Sequence, residues 1–223
     1  MRLGLTAMSG DRTEDQEVQM TPRLAIGVMG SASGTHEAEV LARCNTLGKT
    51  IAERGCTLIT GACPGLSYAA VEGARAAGGL IVGISPGLSR DEHVVKYSSP
   101  VDGFDVLIYT GSGLMGREVE NIRSSDIVVI AGGNSGTLGE FAIAFDEGRL
   151  IGVLTGTGGI AGHIPDLVGI FNKPTGAHVL YDDDPVRLID RLLNYYRAEH
   201  HKCPNCFCEP LDPKPGAVPE GTP

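Results

Sequence analysis

Short apolar runs rich in Val, Ile and Leu recur along the chain at Leu24–Met29, Thr57–Thr60, Leu80–Ile84, Val106–Tyr109, Ile127–Ile130, Ile151–Leu154 and Val179–Tyr181. Each is about a strand in length, and runs that are apolar on both faces suit the buried strands of a parallel sheet. Between them, amphipathic spacing predicts helices over about 35–54, 65–78, 115–125, 136–148 and 184–198. In the first of these, Ala38, Leu41, Ala42, Ile51 and Ala52 share one face, Thr35 stands as N-cap, and Gly55 provides a stop. Strand alternating with helix implies an α/β protein built on a single doubly wound parallel sheet flanked by helices. The periodicity covers residues 23–199. Residues 1–22 and 200–223 are poor in periodic apolar positions and read as mobile tails, the second rich in Cys and Pro.

The composition fits this picture. Of the 223 residues, 42% are hydrophobic, enough to bury one sizeable core. The 32 glycines exceed the usual ~7% without any collagen-like period, and they gather at the ends of the apolar runs. A formal charge of −9 argues against a surface that holds nucleic acid by counterion release, which needs clustered Lys and Arg. A small phosphate-bearing ligand remains compatible, because backbone N–H groups can hold an anion whatever the net charge. Met1–Thr21 has no apolar stretch suited to a signal peptide, and no segment approaches the ~18 apolar residues of a membrane span, so a cytoplasmic protein without membrane contact is expected.

In an open parallel sheet, ligands collect beyond the carboxyl ends of the strands, where strand order reverses. Three glycine-rich loops are placed there. Gly30-Ser31-Ala32-Ser33-Gly34-Thr35 follows the first strand, with Gly30 and Ser31 as candidate ligand contacts. Thr60-Gly61-Ala62-Cys63-Pro64-Gly65 follows the second, with Gly61 as the candidate. The most informative is Gly132-Gly133-Asn134-Ser135-Gly136-Thr137, which leaves the buried run Ile127–Ala131 and leads into a helix carrying Glu140. Such a loop can aim several N–H groups at one phosphate, with Glu140 beside the bound group on the first turn. Arg117 lies just after another strand end, four residues before Asn121 on the same helix face; a solvated charged face is the plainer reading of that helix.

Arg117, the run Arg123-Ser124-Ser125-Asp126 and the segment Gly132–Glu140 together resemble the LOG family, often labelled lysine-decarboxylase-like, with its PGGxGTxxE motif. The arginine nine residues before the Asp is also a feature of that family. Thr155-Gly156-Thr157-Gly158-Gly159 is similar to the branch containing Rossmann nucleotide-binding proteins and molybdenum cofactor carriers. Two positions depart from the motif, with Gly132 in place of the proline and Asn134 in place of the second glycine, and Gly113–Gly116 lacks the polar residues LOG enzymes carry there. The resemblance spans about residues 23–198 and implies a Rossmann-like fold. It further implies an N-glycosidase that cleaves nucleoside 5′-monophosphates to free base and ribose 5-phosphate, with Arg117 and Glu140 as the catalytic pair and Gly133, Ser135, Gly136 and Thr137 holding phosphate. The alternative it carries is a non-catalytic carrier or sensor of molybdenum cofactor (molybdopterin) or of a nucleotide. No cofactor is required for hydrolysis. LOG-like proteins are commonly dimers, so a homo-oligomer is expected, with helix 136–148 able to supply an interface.

Cys203, Cys206 and Cys208 form a CxxCxC pattern that could give three thiolates to one zinc. A structural zinc site normally draws on two separated knuckles and only one is present, so the plainer reading is a tail without metal. Cys44, Cys56 and Cys63 fall in or beside core elements as reduced thiols. His36, His93, His163 and His178 are scattered and read as loop or surface residues, while Tyr195 and Tyr196 are expected to cover the core edge.

Overall fold

Seven strands form one sheet in the order β4-β3-β2-β1-β5-β6-β7. The computed structural model describes residues 23–171 and 173–199, so both expected tails, including Cys203, Cys206 and Cys208, lie outside the described residues. The strands are β1 Ala25–Gly30, β2 Thr57–Thr60, β3 Ile81–Ser85, β4 Val106–Tyr109, β5 Ile127–Ala131, β6 Leu150–Leu154 and β7 His178–Asp182. Every neighbouring pair is parallel. The connecting helices are α1 Ala38–Glu53, α2 Leu66–Ala76, α3 Gly113–Arg123, α4 Ser135–Asp146, α5 Ile164–Phe171 and α6 Pro185–Ala198. This is the α/β, doubly wound, Rossmann-like architecture expected from the alternation of apolar runs and helices.

The two-residue period of each strand sorts its side chains onto two layers. Along β5, Ile127, Val129 and Ala131 join the core under α1, α2 and α6, and Val128 and Ile130 join the core under α4 and α5. All of these strand residues are fully buried. Tyr195 and Tyr196 pack partly buried against the first core, as expected. Strand order reverses between β1 and β5, which are paired in register from Ile26↔Ile127 to Gly30↔Ala131, so a crevice opens beyond Gly30 and Ala131.

Three expectations are corrected. The run Val106–Tyr109 does form a strand, but β4 is the sheet edge, where Val106 and Ile108 are 47% and 46% exposed. Helix α1 begins at Ala38, and Thr35 lies in the loop before it, because Gly34 takes φ +97 and turns the chain, leaving extended Glu37 as N-cap. His93 is completely buried: its Nδ1 is 2.8 Å from Ser85 Oγ and its Nε2 2.9 Å from the Pro100 carbonyl. That pairing ties a π-helical turn, Glu92–Lys96, to the end of β3, an element the apolar pattern did not signal, as it did not signal α5. No helix among the described residues is long and apolar enough to cross a membrane.

Candidate functional site

The crevice is walled by the loops after β1, β2 and β5 and by helices α3 and α4. Helix α4 starts at Ser135, with Asn134 as N-cap, so Glu140 stands on its second turn and not on the first. Gly132 and Gly133 take φ +61 and +97, which brings the chain sharply off β5. Their N–H groups are used internally: Gly132 donates to Thr157 Oγ1 at 2.8 Å and Gly133 to Ser31 Oγ at 3.1 Å. The Thr157 hydroxyl in turn donates to the Leu154 carbonyl at 2.6 Å. The loop is therefore braced by the β1 and β6 loops, and the N–H groups of Ser135, Gly136 and Thr137, at the open end of α4, meet no partner among the described residues.

Arg117 and Glu140 are brought together. Arg117 Nη1 lies 3.5 Å from Glu140 Oε1, with both side chains 8% exposed. That is longer than a tight charge-assisted bond, which runs about 2.7–2.9 Å. Arg117 Nη2 makes a second long contact, 3.6 Å to Cys63 Sγ, and its Nε has no partner. The guanidinium is a buried cation with donors to spare. Asn121, one turn along α3 and fully buried, points Nδ2 at Glu140 Oε1 at 3.5 Å. Burial pushes the Glu140 carboxyl up to about 7; Arg117 opposes the shift, Glu118 adds to it, and the Asn121 contact opposes it. Glu118 is also raised by burial, against the pull of Arg117, and burial raises the Cys63 thiol with Arg117 again opposing.

Gly61 has a role different from donating N–H groups. A Cβ built there would stand 1.7 Å from Arg117 Nη1, so the guanidinium lies directly on the backbone at the end of β2. Gly30 allows a similarly close approach to β5, its Cβ position falling 2.6 Å from the Ala131 carbonyl oxygen. The charged face of α3 is not solvated as expected: Arg117, Glu118 and Asn121 are all buried, while Leu114 and Met115 before them are 53% and 74% exposed. For Arg117 the sequence offered its place after a strand end and the family motif; for Asn121 it offered only the 117/121 spacing, and for Glu118 nothing.

Arg117, Glu118, Glu140, Cys63, Leu114 and Thr137 are among the residues lining a cavity of about 200 Å³. A wider groove of about 530 Å³ adjoins it, sharing Ser31, Ser33 and Asn134, and is floored by Gly132–Asn134 and Gly156–Gly159. Arg43 of α1 clamps this second loop, donating to the carbonyls of Thr155 (2.6 Å), Gly156 (3.2 Å) and Asp183. His36 Nε2, on the groove wall, is buried without a partner. Among the described residues no group of three or more His, Cys, Asp or Glu is arranged to hold a metal ion.

The model of the SLOG cluster4 family matches residues 23–189. The chain is 35% identical to an uncharacterized protein of Archaeoglobus fulgidus over 59% of its own length and 80% of that protein's. It is 32% identical to the cytokinin riboside 5′-monophosphate phosphoribohydrolase of Mycobacterium tuberculosis over 60% of its length and 68% of the relative's. Among solved structures, the Moco (molybdenum cofactor) carrier protein of Chlamydomonas reinhardtii superposes with a TM-score of 0.62 at 28% identity, covering 78% of this chain and 99% of the carrier.

Proposed function

The chain belongs to the SLOG cluster4 family, and on that premise we propose that it is a nucleoside 5′-monophosphate phosphoribohydrolase, an N-glycosidase releasing free base and ribose 5-phosphate. One observation carries the reading: a buried carboxylate, Glu140, held at about 7 beside the guanidinium of Arg117, faces a small cavity next to the open N–H groups of α4. Departure of the base leaves positive charge on the sugar. A carboxylate in a sheltered site stabilises that charge and takes a proton from the attacking water, and a group titrating near neutrality is poised for both tasks. Arg117 limits how far burial can neutralise Glu140, and its side chain lines the same cavity, where a guanidinium can anchor an oxygen of the substrate. The phosphate is assigned to the end of α4, where Ser135, Gly136 and Thr137 offer N–H groups and the helix dipole favours an anion. The relative named as a phosphoribohydrolase supports the same chemistry.

A second reading is carriage of an intact molybdenum cofactor or nucleotide. The groove lined by Gly132–Asn134 and Gly156–Gly159 favours it, being larger than the catalytic cavity, and the likeness to a Moco carrier protein supports it. Thermal-shift screening against nucleoside monophosphates and pterins, with mass spectrometry of any ligand that co-purifies, separates the two. Stabilisation by a nucleoside monophosphate together with base release supports hydrolysis; an intact pterin without base release supports carriage. A homo-oligomer completes the proposal, supported by exposed apolar side chains at Leu88, Val95, Val106, Ile108, Leu114 and Met115, on β4 and the segments that flank it.

A further inference from the structure

The reaction proposed above uses Arg117 and Glu140 and leaves a second cavity carboxylate, Glu118, without a task. Glu118 is 5% exposed, it lines the cavity, and no described residue donates a hydrogen bond to it. Its position is fixed by two glycines of α4. A Cβ on Gly139 would stand 2.8 Å from Glu118 Oε2, and one on Gly136 would stand 3.1 Å from Oε1. Residues 136 and 139 are three apart and share a helix face, so the carboxylate lies along the flank of α4. The free N–H groups of Ser135–Thr137 open at the end of the helix, whereas the Glu118 carboxylate lies along its side.

A buried carboxylate with no donor of its own is costly, and it is compensated when a ligand supplies the missing donors. An anionic group would be repelled there. Neutral hydroxyls are the complementary partners, because a carboxylate accepts from two donors at once and a vicinal diol presents two. In the ribose of a nucleotide, the 2′-hydroxyl sits on the carbon next to the one that Glu140 serves, which puts the diol on the side where a neighbouring carboxylate is needed.

We propose that Glu118 accepts hydrogen bonds from the ribose 2′,3′-diol and so makes the site selective for ribonucleotides over their deoxy analogues. Glu118 is a positioning and specificity residue, and this role rests on the nucleotide reading given above. A site built to bond a hydroxyl rejects the analogue that lacks it, because the buried acceptor is then left empty.

The test is calorimetric titration of adenosine 5′-monophosphate and 2′-deoxyadenosine 5′-monophosphate against protein carrying Glu140→Gln, which suppresses turnover, with and without Glu118→Ala or Glu118→Gln. The expected result is roughly ten- to a hundred-fold tighter binding of the ribonucleotide when Glu118 is present. That preference should collapse to within about threefold in Glu118→Ala and fall by an intermediate amount in Glu118→Gln, with both variants folded by circular dichroism. A purely structural role would weaken both ligands together and leave their ratio intact, which overturns the proposal. Equal binding of both nucleotides when Glu118 is present also overturns it and leaves the hydrolase reading standing; binding of neither removes both.

Discussion

Replacing Gly61 with alanine should separate the site from the fold. Gly61 has no positive φ, so its backbone accepts alanine without strain. The added methyl, however, would lie 1.7 Å from Arg117 Nη1 and 2.5 Å from its Cζ. Ordinary carbon contacts need about 3.5–4 Å, so the guanidinium must retreat by roughly 2 Å. Because the obstacle is the end of a flexible side chain, the fold absorbs the change at a cost of about 1–2 kcal/mol, a fall in Tm of a few degrees. The pair with Glu140, already long at 3.5 Å, does not survive a displacement of that size. Misplacing a catalytic group by about 1 Å can cost 10²-fold, so kcat/KM for base release should drop at least ~100-fold while the protein remains folded. Differential scanning calorimetry and a chromatographic base-release assay on the same preparation measure the two effects. Activity within twofold of wild type would refute the reasoning, as would a loss of activity that merely follows the loss of folded protein.

Stability should depend on pH through Glu140. Its carboxyl is raised from 4.5 to about 7 on folding, chiefly by burial, so between those pH values the folded chain holds a proton that the unfolded chain has released. Its contribution is fully present below pH 4.5 and is lost as pH rises through about 7, an amount of roughly 3 kcal/mol. Urea denaturation at pH 5 and pH 8 should show a decline in the wild type that Glu140→Gln lacks; parallel declines would contradict the assignment. Thr157→Val leaves the buried Gly132 N–H without its acceptor and the Leu154 carbonyl without its donor, and should cost about 2–3 kcal/mol by the same denaturation method. Loss of binding in the groove of Gly132–Asn134 and Gly156–Gly159 should accompany it, and an unchanged Tm would count against the bracing role of that hydroxyl.

The parts of the fold visible in the sequence were those where local pattern and tertiary position agree. Ile127–Ala131 is apolar at every position because β5 is central and covered on both faces, and the glycines after it mark the sharp exit before α4. Val106–Tyr109 is also an unbroken apolar run but occupies the edge, because strand order is decided by long-range pairing that no local run records. The start of α1 is not legible locally, because Thr35 has the chemistry of a cap, while the turn at Gly34 leaves it outside the helix. At the site, the glycine loop and the Arg117–Glu140 pair carry a recognisable motif. The burial of Glu118 and Asn121 had no such signal, since a Glu beside an Arg on a helix reads as a solvated face. What buries Glu118 is the close approach of α4, permitted by Gly136 and Gly139 on a different stretch of chain.

The proposed hydrolysis depends on Glu140 acting beside Arg117 on a bound nucleotide. Its most direct test is the incubation of wild type and Glu140→Gln with the common nucleoside 5′-monophosphates, quantifying free base and ribose 5-phosphate by chromatography. Equimolar base and ribose 5-phosphate are expected from at least one nucleotide with the wild type, and a rate lower by about 10²–10⁴ with the variant. No base from any nucleotide, or undiminished release by Glu140→Gln, would contradict it.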